Sequence, residues 1–199
     1  MNSQHVSSKS SLTKGQNDKG HPLMMIVNLL LLAASAFFIY LIVTIWAISE
    51  PFETPLSNTH VFGLFFLSLP TFFISSTQFQ LKEEKVKPLV LVLALTAISL
   101  AAYISLQFLS LEAGVALSNN LSSKIYYMIA VSHACLAFVM AIMTCYLVAY
   151  FSRSISNPVI SLIIFTNPFE KLRLTLFVRL LKFTQLSWIV SYLLLLALV

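Results

Sequence analysis

The side chains that could carry acid–base or ion-coupling chemistry in this 199-residue chain are its seven carboxylates, and all of them lie outside its five long apolar stretches. They are Asp18, Glu50, Glu53, Glu83, Glu84, Glu112 and Glu170. A carboxylate at membrane depth is costly, and those that occur there serve functions such as proton relay. The sequence therefore predicts that this chain carries out neither catalysis nor ion coupling by itself, and that a partner does the chemistry.

Metal or haem ligation would have to depend on His133, which lies deep in the fourth apolar stretch. Low-spin haem takes a second axial ligand and copper takes several ligands, but no other histidine lies at comparable depth. We therefore expect the His133 imidazole to form a hydrogen bond to a neighbouring helix. Cys135 and Cys145 are separated by about 15 Å along a helix, too far for a disulfide, and are expected to be packing residues.

The composition is that of a membrane protein, with 58% hydrophobic and 10% charged residues and a mean hydropathy of +0.89. A hydrocarbon core about 30 Å thick needs about 20 apolar residues per helix. Five stretches satisfy this length, at 23–48, 60–79, 88–110, 126–151 and 174–199. The sequence predicts an all-α membrane protein, with a five-helix transmembrane domain over residues 21–199 and a disordered polar head over residues 1–20.

The Lys and Arg residues behind the net charge of +5 are divided unevenly between the two sides of the predicted membrane domain. If the chain crosses five times, eleven of its twelve Lys and Arg residues fall on one side and Lys124 falls on the other. The positive-inside rule then predicts a cytoplasmic N-terminus and places Val199 at the outer face. This placement argues against nucleic acid as a partner. Residues 159–165, bracketed by two Asn-Pro pairs, are too few to span and are expected to lie at the cytoplasmic interface.

Helix faces indicate where close packing and lipid contact should occur. Small residues repeat at helical spacing in the third and fourth stretches, which favours close helix packing in lipid; they are Ala94, Ala97, Ala101 and Ser105, then Ala130, Ala134, Ala137, Ala141 and Cys145. Arg179 and Lys182 lie three residues apart near the cytoplasmic end of the last stretch. They could hold the phosphate of an ordered lipid or simply anchor the helix, and both interpretations stay open.

The fourth stretch resembles the penultimate helix of subunit III of the haem–copper oxidases, the cytochrome c and quinol oxidases. That helix typically has an aromatic pair, a short gap and then Gly-Phe-His-Gly-x-His. The pair Tyr126 and Tyr127 and the first histidine, His133, match at that spacing, whereas Leu136 occupies the second histidine position.

Two further segments carry the same resemblance. The family's last helix often reads Trp-His-Phe-x-Asp-x-x-Trp; Phe183 and Trp188 match it, with Gln185 at the aspartate position. Near the end of the third stretch, Leu106 and Gln107 match a Leu-Gln pair of the family. The chain is thus similar to a divergent five-helix member.

The resemblance implies a non-catalytic accessory subunit of an aerobic terminal oxidase in a bacterial cytoplasmic membrane. Such a subunit binds phospholipid but no haem or copper, which reside in the partner subunits I and II, and the complex can join a supercomplex. His133, Gln107, Gln185 and Trp188 are expected to make structural or partner contacts, although plain core packing also fits them. A scaffold subunit of another respiratory complex, such as nitric oxide reductase, and a small transporter are the alternatives.

Overall fold

The computed structural model describes residues 22–48, 58–74, 85–115 and 121–196, so the predicted head lies outside the described residues. The described residues form six helices and no strand. In chain order these are α1 (Pro22–Ile48), α2 (Asn58–Ile74), α3 (Val86–Val115), α4 (Leu121–Ser156), α5 (Pro158–Thr166) and α6 (Pro168–Leu196). The predicted all-α class is confirmed for this part of the chain.

Four of the helices are long and apolar enough to cross a membrane, over Pro22–Ile48, Val86–Leu109, Lys124–Ser156 and Pro168–Leu194. They identify a multi-pass membrane protein. The remaining predicted span, 60–79, coincides with α2, which has 17 residues and contains Pro70. At 1.5 Å per residue α2 is about 26 Å long, somewhat less than the hydrocarbon core, and the end of that predicted span lies outside the described residues.

The helices continue past the predicted spans, which changes the position of two carboxylates. Helix α3 extends to Val115 and includes Glu112, and α6 begins at Pro168 and has Glu170 in its first turn. Glu170 is therefore a buried helical residue and not part of a connection. The reason is that hydropathy marks only the lipid-embedded length, whereas the backbone hydrogen bonds of a helix can continue beyond it.

The predicted interfacial segment, 159–165, is helix α5, and its two Asn-Pro pairs start successive helices. The Oδ1 atom of Asn157 accepts hydrogen bonds from the backbone N–H groups of Val159 and Ile160, at 3.0 and 3.4 Å. Asn167 accepts one from Phe169 at 3.0 Å. Asparagine satisfies the free N–H groups of a first turn, and the proline after it needs no donor there.

Helices α4 and α6 are the most central, because each packs against four of the other described helices. Helix α3 packs most extensively against α4 and α2, and α6 contacts α1, α2, α4 and α5. Helix α1 is the most exposed of the long helices. It joins the main core through four residues in its second half, Phe38, Leu41, Ile42 and Ile45. Near its start, Met24 packs separately with Leu172 and Leu176 of α6.

The two stripes of small residues, one on α3 and one on α4, differ in burial. On α4, Ala130, Ala134 and Ala137 are buried in the bundle, as a packing seam requires. On α3, Ala101 and Ser105 are exposed, so this half of the stripe faces away from the chain. Cys135 and Cys145 are free cysteines whose side chains are exposed on the outside of the helix bundle, and neither lies in its core.

Candidate functional site

His133 lies in the interior of the bundle with no exposed surface, and both of its ring nitrogens have partners. Its Nδ1 atom is 2.9 Å from the backbone carbonyl oxygen of Ile129, and its Nε2 atom is 3.2 Å from the hydroxyl oxygen of Ser187 on α6. A carbonyl oxygen can only accept, so Nδ1 carries the proton of the neutral ring. The lone pair of Nε2 therefore faces Ser187.

The hydroxyl of Ser187 has two possible acceptors and one proton. It lies 3.0 Å from the carbonyl oxygen of Thr184, one turn earlier on α6, as well as near Nε2 of His133. With the ring neutral and protonated at Nδ1, only the Ser187 proton can complete the contact between α4 and α6. The hydroxyl can therefore donate either within α6, to the Thr184 carbonyl, or between helices, to Nε2 of His133.

Two aromatic rings enclose the His133 imidazole. The ring of Phe38 on α1 has its centroid 4.2 Å from the imidazole with an interplanar angle of 32°, and the indole of Trp188 on α6 is 4.7 Å away at 59°. Helices α1, α4 and α6 thus meet at one side chain. An imidazole with both nitrogens occupied and rings packed against it is suited to fixing helix positions.

The contacts continue from Trp188 to α3 and α2. The ring of Tyr103 meets the indole of Trp188 edge to face, with centroids 6.4 Å apart. One turn further along α3, Gln107 is 1% exposed. Gly63 of α2 lies opposite, since a Cβ atom added there would be 3.5 Å from Nε2 of Gln107 and 3.6 Å from the Tyr103 ring.

The structure thus brings together three of the four residues expected to make structural contacts. His133 and Trp188 are in direct contact, and Gln107 follows through Tyr103. Gln185 is only half-buried and lies outside this group of enclosed side chains. Arg179 is half-buried and Lys182 is exposed, both nearer the start of α6 than the His133 contact. We name the group formed by His133, Ser187, Trp188, Tyr103 and Gln107 the central polar layer.

A second polar cluster, which sequence reasoning missed, joins the end of α4 to the start of α6. Glu170 accepts hydrogen bonds from the hydroxyl of Tyr150 at 3.2 Å and from Nη1 of Arg173 at 3.1 Å. The guanidinium of Arg173 lies over the stacked rings of Tyr146 and Tyr150, 5.7 and 5.6 Å from their centroids. The carboxylate is buried, while Arg173 is 40% exposed at its side chain.

Part of this second cluster had a signal in the sequence. Tyr146 and Tyr150 are four residues apart, and Glu170 and Arg173 are three apart, which are spacings of side chains that touch on a helix. The contact between the two pairs has no such signal, because it joins different helices. Phe38 and Tyr103 were likewise missed, since aromatic residues are frequent throughout the apolar stretches.

Within the described part of the chain, no three His, Cys, Asp or Glu residues lie close enough together to hold a metal ion. No protein-family model, curated protein or solved structure matches this chain. The function proposed below therefore rests on the residues and contacts of this chain itself.

Proposed function

We propose that this chain is a non-catalytic accessory subunit, similar to subunit III, of a haem–copper terminal oxidase in a bacterial cytoplasmic membrane. The observation that carries the proposal is the environment of His133. Its two nitrogens are bonded to Ile129 and Ser187 and its ring packs against Phe38 and Trp188, so the deepest imidazole joins helices. Haem and copper would then be held by partner subunits I and II, which take electrons from cytochrome c or quinol.

The proposed topology has five crossings, a cytoplasmic N-terminus and a C-terminus at the outer face. The charge distribution supports it, because eleven of the twelve Lys and Arg residues then face the cytoplasm. Helix α2 would be the shortest crossing. A short apolar helix can cross where the bilayer thins locally, at a modest free-energy cost. Alkaline phosphatase fused after Val199 should be active in the periplasm, and fused before Met1 it should be inactive; the reverse pattern would refute this topology.

Two surfaces support association with partners and lipid. The exposed small residues Ala101 and Ser105 on α3 allow another helix to approach closely. Arg179 and Lys182 could contact lipid phosphates or anchor the helix, since side chains of a helix lean toward its N-terminus. In the proposed topology that end of α6 faces the cytoplasmic headgroups, so both cations would extend toward them.

The test is the composition of the complex isolated through this chain in mild detergent. Co-purification with copper and high-spin haem is expected. His133→Leu should leave the haem content of the complex unchanged but weaken retention of this chain, because the contacts of α1, α4 and α6 are loosened. Val131→Leu, at an exposed position of the same helix, is the matched control. A chain that binds haem by itself would contradict the proposal.

The two alternative functions predict that different proteins co-purify with this chain. A scaffold subunit of a nitric oxide reductase type complex would use the same packing surfaces but co-purify with the subunits of that complex in place of a copper-containing oxidase. A small transporter would be isolated alone and would show substrate flux in liposomes. Either result would replace the oxidase assignment.

A further inference from the structure

Three side chains inside the bundle have polar atoms with no hydrogen-bond partner of standard geometry in the described residues. These atoms are the hydroxyl oxygen of Tyr103, Oε1 of Gln107 and the hydroxyl oxygen of Ser191. The three residues are 0%, 1% and 1% exposed. A buried polar group without a partner is costly, and hydrocarbon supplies none. A small molecule inside the bundle would supply partners for these atoms.

Ser191 differs from three buried threonine hydroxyls on these helices. Thr96, Thr144 and Thr184 each donate to the backbone carbonyl four residues earlier, at 2.8, 2.6 and 2.9 Å. This internal bond is the usual solution for a hydroxyl in a lipid-embedded helix. The Ser191 hydroxyl makes no such bond, so its proton is available to a group outside its own helix backbone.

Gln107 and Tyr103 leave complementary hydrogen-bonding capacity unused. The Gln107 side chain lies close enough to interact with the Tyr103 hydroxyl, yet neither Oε1 of Gln107 nor the hydroxyl of Tyr103 has a bond of standard geometry. An amide oxygen accepts, whereas a phenol hydroxyl donates and accepts. A partner that donates to Oε1 of Gln107 and accepts from the Tyr103 hydroxyl would satisfy both atoms.

The three residues belong to one region of the bundle. The ring of Tyr103 contacts Trp188, which is three residues before Ser191 on α6. Tyr126 of α4 lies near Tyr103 and also near Tyr192, the residue next to Ser191. Helices α3, α4 and α6 therefore converge here.

Helix α2 closes this region with Gly63. The position has no side chain, and a Cβ atom built there would be only in ordinary contact with Gln107 and Tyr103. The side chains of Tyr103, Gln107 and Ser191 are almost completely enclosed. A small molecule that donates and accepts hydrogen bonds fits these conditions.

We propose that Tyr103, Gln107 and Ser191 form an internal hydration site, holding about one or two water molecules between α2, α3 and α6. A buried water typically makes about three hydrogen bonds, which matches the donor and acceptor capacity left open by these three side chains. The site is independent of the oxidase assignment, since it requires only the packing of this chain.

The direct test is water-edited solid-state NMR on the full-length protein in lipid bilayers. Magnetisation from water should reach the Tyr103 ring and Ser191 Cβ rapidly, with Tyr103 assigned by loss of its signals in Tyr103→Phe. Leu100 and Phe177, which are fully buried and apolar, are the internal controls. Transfer to Tyr103 and Ser191 as slow as transfer to these controls would overturn the proposal.

A stability measurement gives an independent readout. If water links the side chains, Tyr103→Phe and Ser191→Ala should each lower the thermal midpoint, and the double variant should lose less than the sum. Thr96→Ala, whose hydroxyl bonds its own helix, should combine additively with Tyr103→Phe. If the groups were truly unpaired, removing them would be neutral or stabilising, and that result would refute the hydration site.

Discussion

The Nε2 atom of His133 lies 3.2 Å from the hydroxyl oxygen of Ser187, and this contact joins α4 and α6 across 54 positions of the sequence. Phe38 adds α1 to the same point by packing against the imidazole. Helices α1, α4 and α6 thus meet at His133. Such contacts matter in a membrane, because lipid provides no hydrophobic drive for helices to associate.

Replacing His133 with Leu or Ser187 with Ala should lower the stability of the protein in bilayer discs. The expected coupling between the two substitutions is about 0.6 kcal/mol, the average for hydrogen bonds between membrane helices. Ser187→Ala alone should have the smaller effect, because it leaves the packing of Phe38 and Trp188 intact. Ser132→Ala removes a hydroxyl bonded within α4 and serves as control. Strict additivity of His133→Leu and Ser187→Ala would show that the contact contributes nothing.

Replacing Glu170 with Ala should destabilise the protein by about 1–3 kcal/mol, because the substitution removes a buried charge-assisted hydrogen bond. Both Tyr150 and Arg173 lose their acceptor at the start of α6. Thermal unfolding in detergent measures the loss. Lys171→Ala changes the exposed neighbouring residue and should stay within about 0.5 kcal/mol of the unsubstituted protein. Equal midpoints for the two variants would show that the cluster is not stabilising.

Arg173→Lys tests the stacking in the same cluster separately from its charge. Lysine retains the positive charge near Glu170 but has no planar group to lie over Tyr146 and Tyr150. We expect a loss of about 0.5–1 kcal/mol, the range for a cation–π contact at an exposed site. Full stability in Arg173→Lys would mean that the ion pair alone holds this end of α4 and α6 together.

Asn157→Ala should weaken the start of α5 by about 1 kcal/mol, because the N–H groups of Val159 and Ile160 lose their acceptor. Hydrogen exchange at these two amides should accelerate relative to amides in the middle of α4. Asn157→Asp preserves an acceptor at the cap and should restore slow exchange. Unchanged exchange in Asn157→Ala would contradict the role of the cap.

Gly63→Ala should be tolerated or slightly stabilising, because alanine favours a helix over glycine by about 1 kcal/mol. The added methyl group would meet Gln107 and Tyr103 at ordinary contact distances. Gly63→Leu should be destabilising, because the larger side chain must displace Gln107 or Tyr103. Thermal midpoints of the two variants distinguish these cases. A stable Gly63→Leu variant would mean that α2 does not pack closely against α3 at this position.

The sequence alone determined the class of protein and the existence of the long helices. Length and hydropathy suffice for both, because a helix must satisfy its backbone within lipid. The two Asn-Pro pairs marked residues 159–165 as a separate segment, but the predicted last span began at 174, whereas α6 begins at Pro168. Helix ends were less well predicted, because hydropathy does not mark where a helix begins. Glu170 was therefore expected outside the last span, whereas it lies buried in the first turn of α6.

Only the tertiary structure decided which side chains meet. Phe37 and Phe38 are neighbours of the same type, yet Phe37 is 44% exposed and Phe38 is 5% exposed beside His133. In a soluble helix the buried face is more apolar than the exposed face, and the pattern reveals it. In a membrane helix both faces are apolar, because lipid and protein interior are similar solvents. The sequence therefore specified that His133 is deep, and the packing of α1 and α6 determined that Phe38 and Ser187 would contact it.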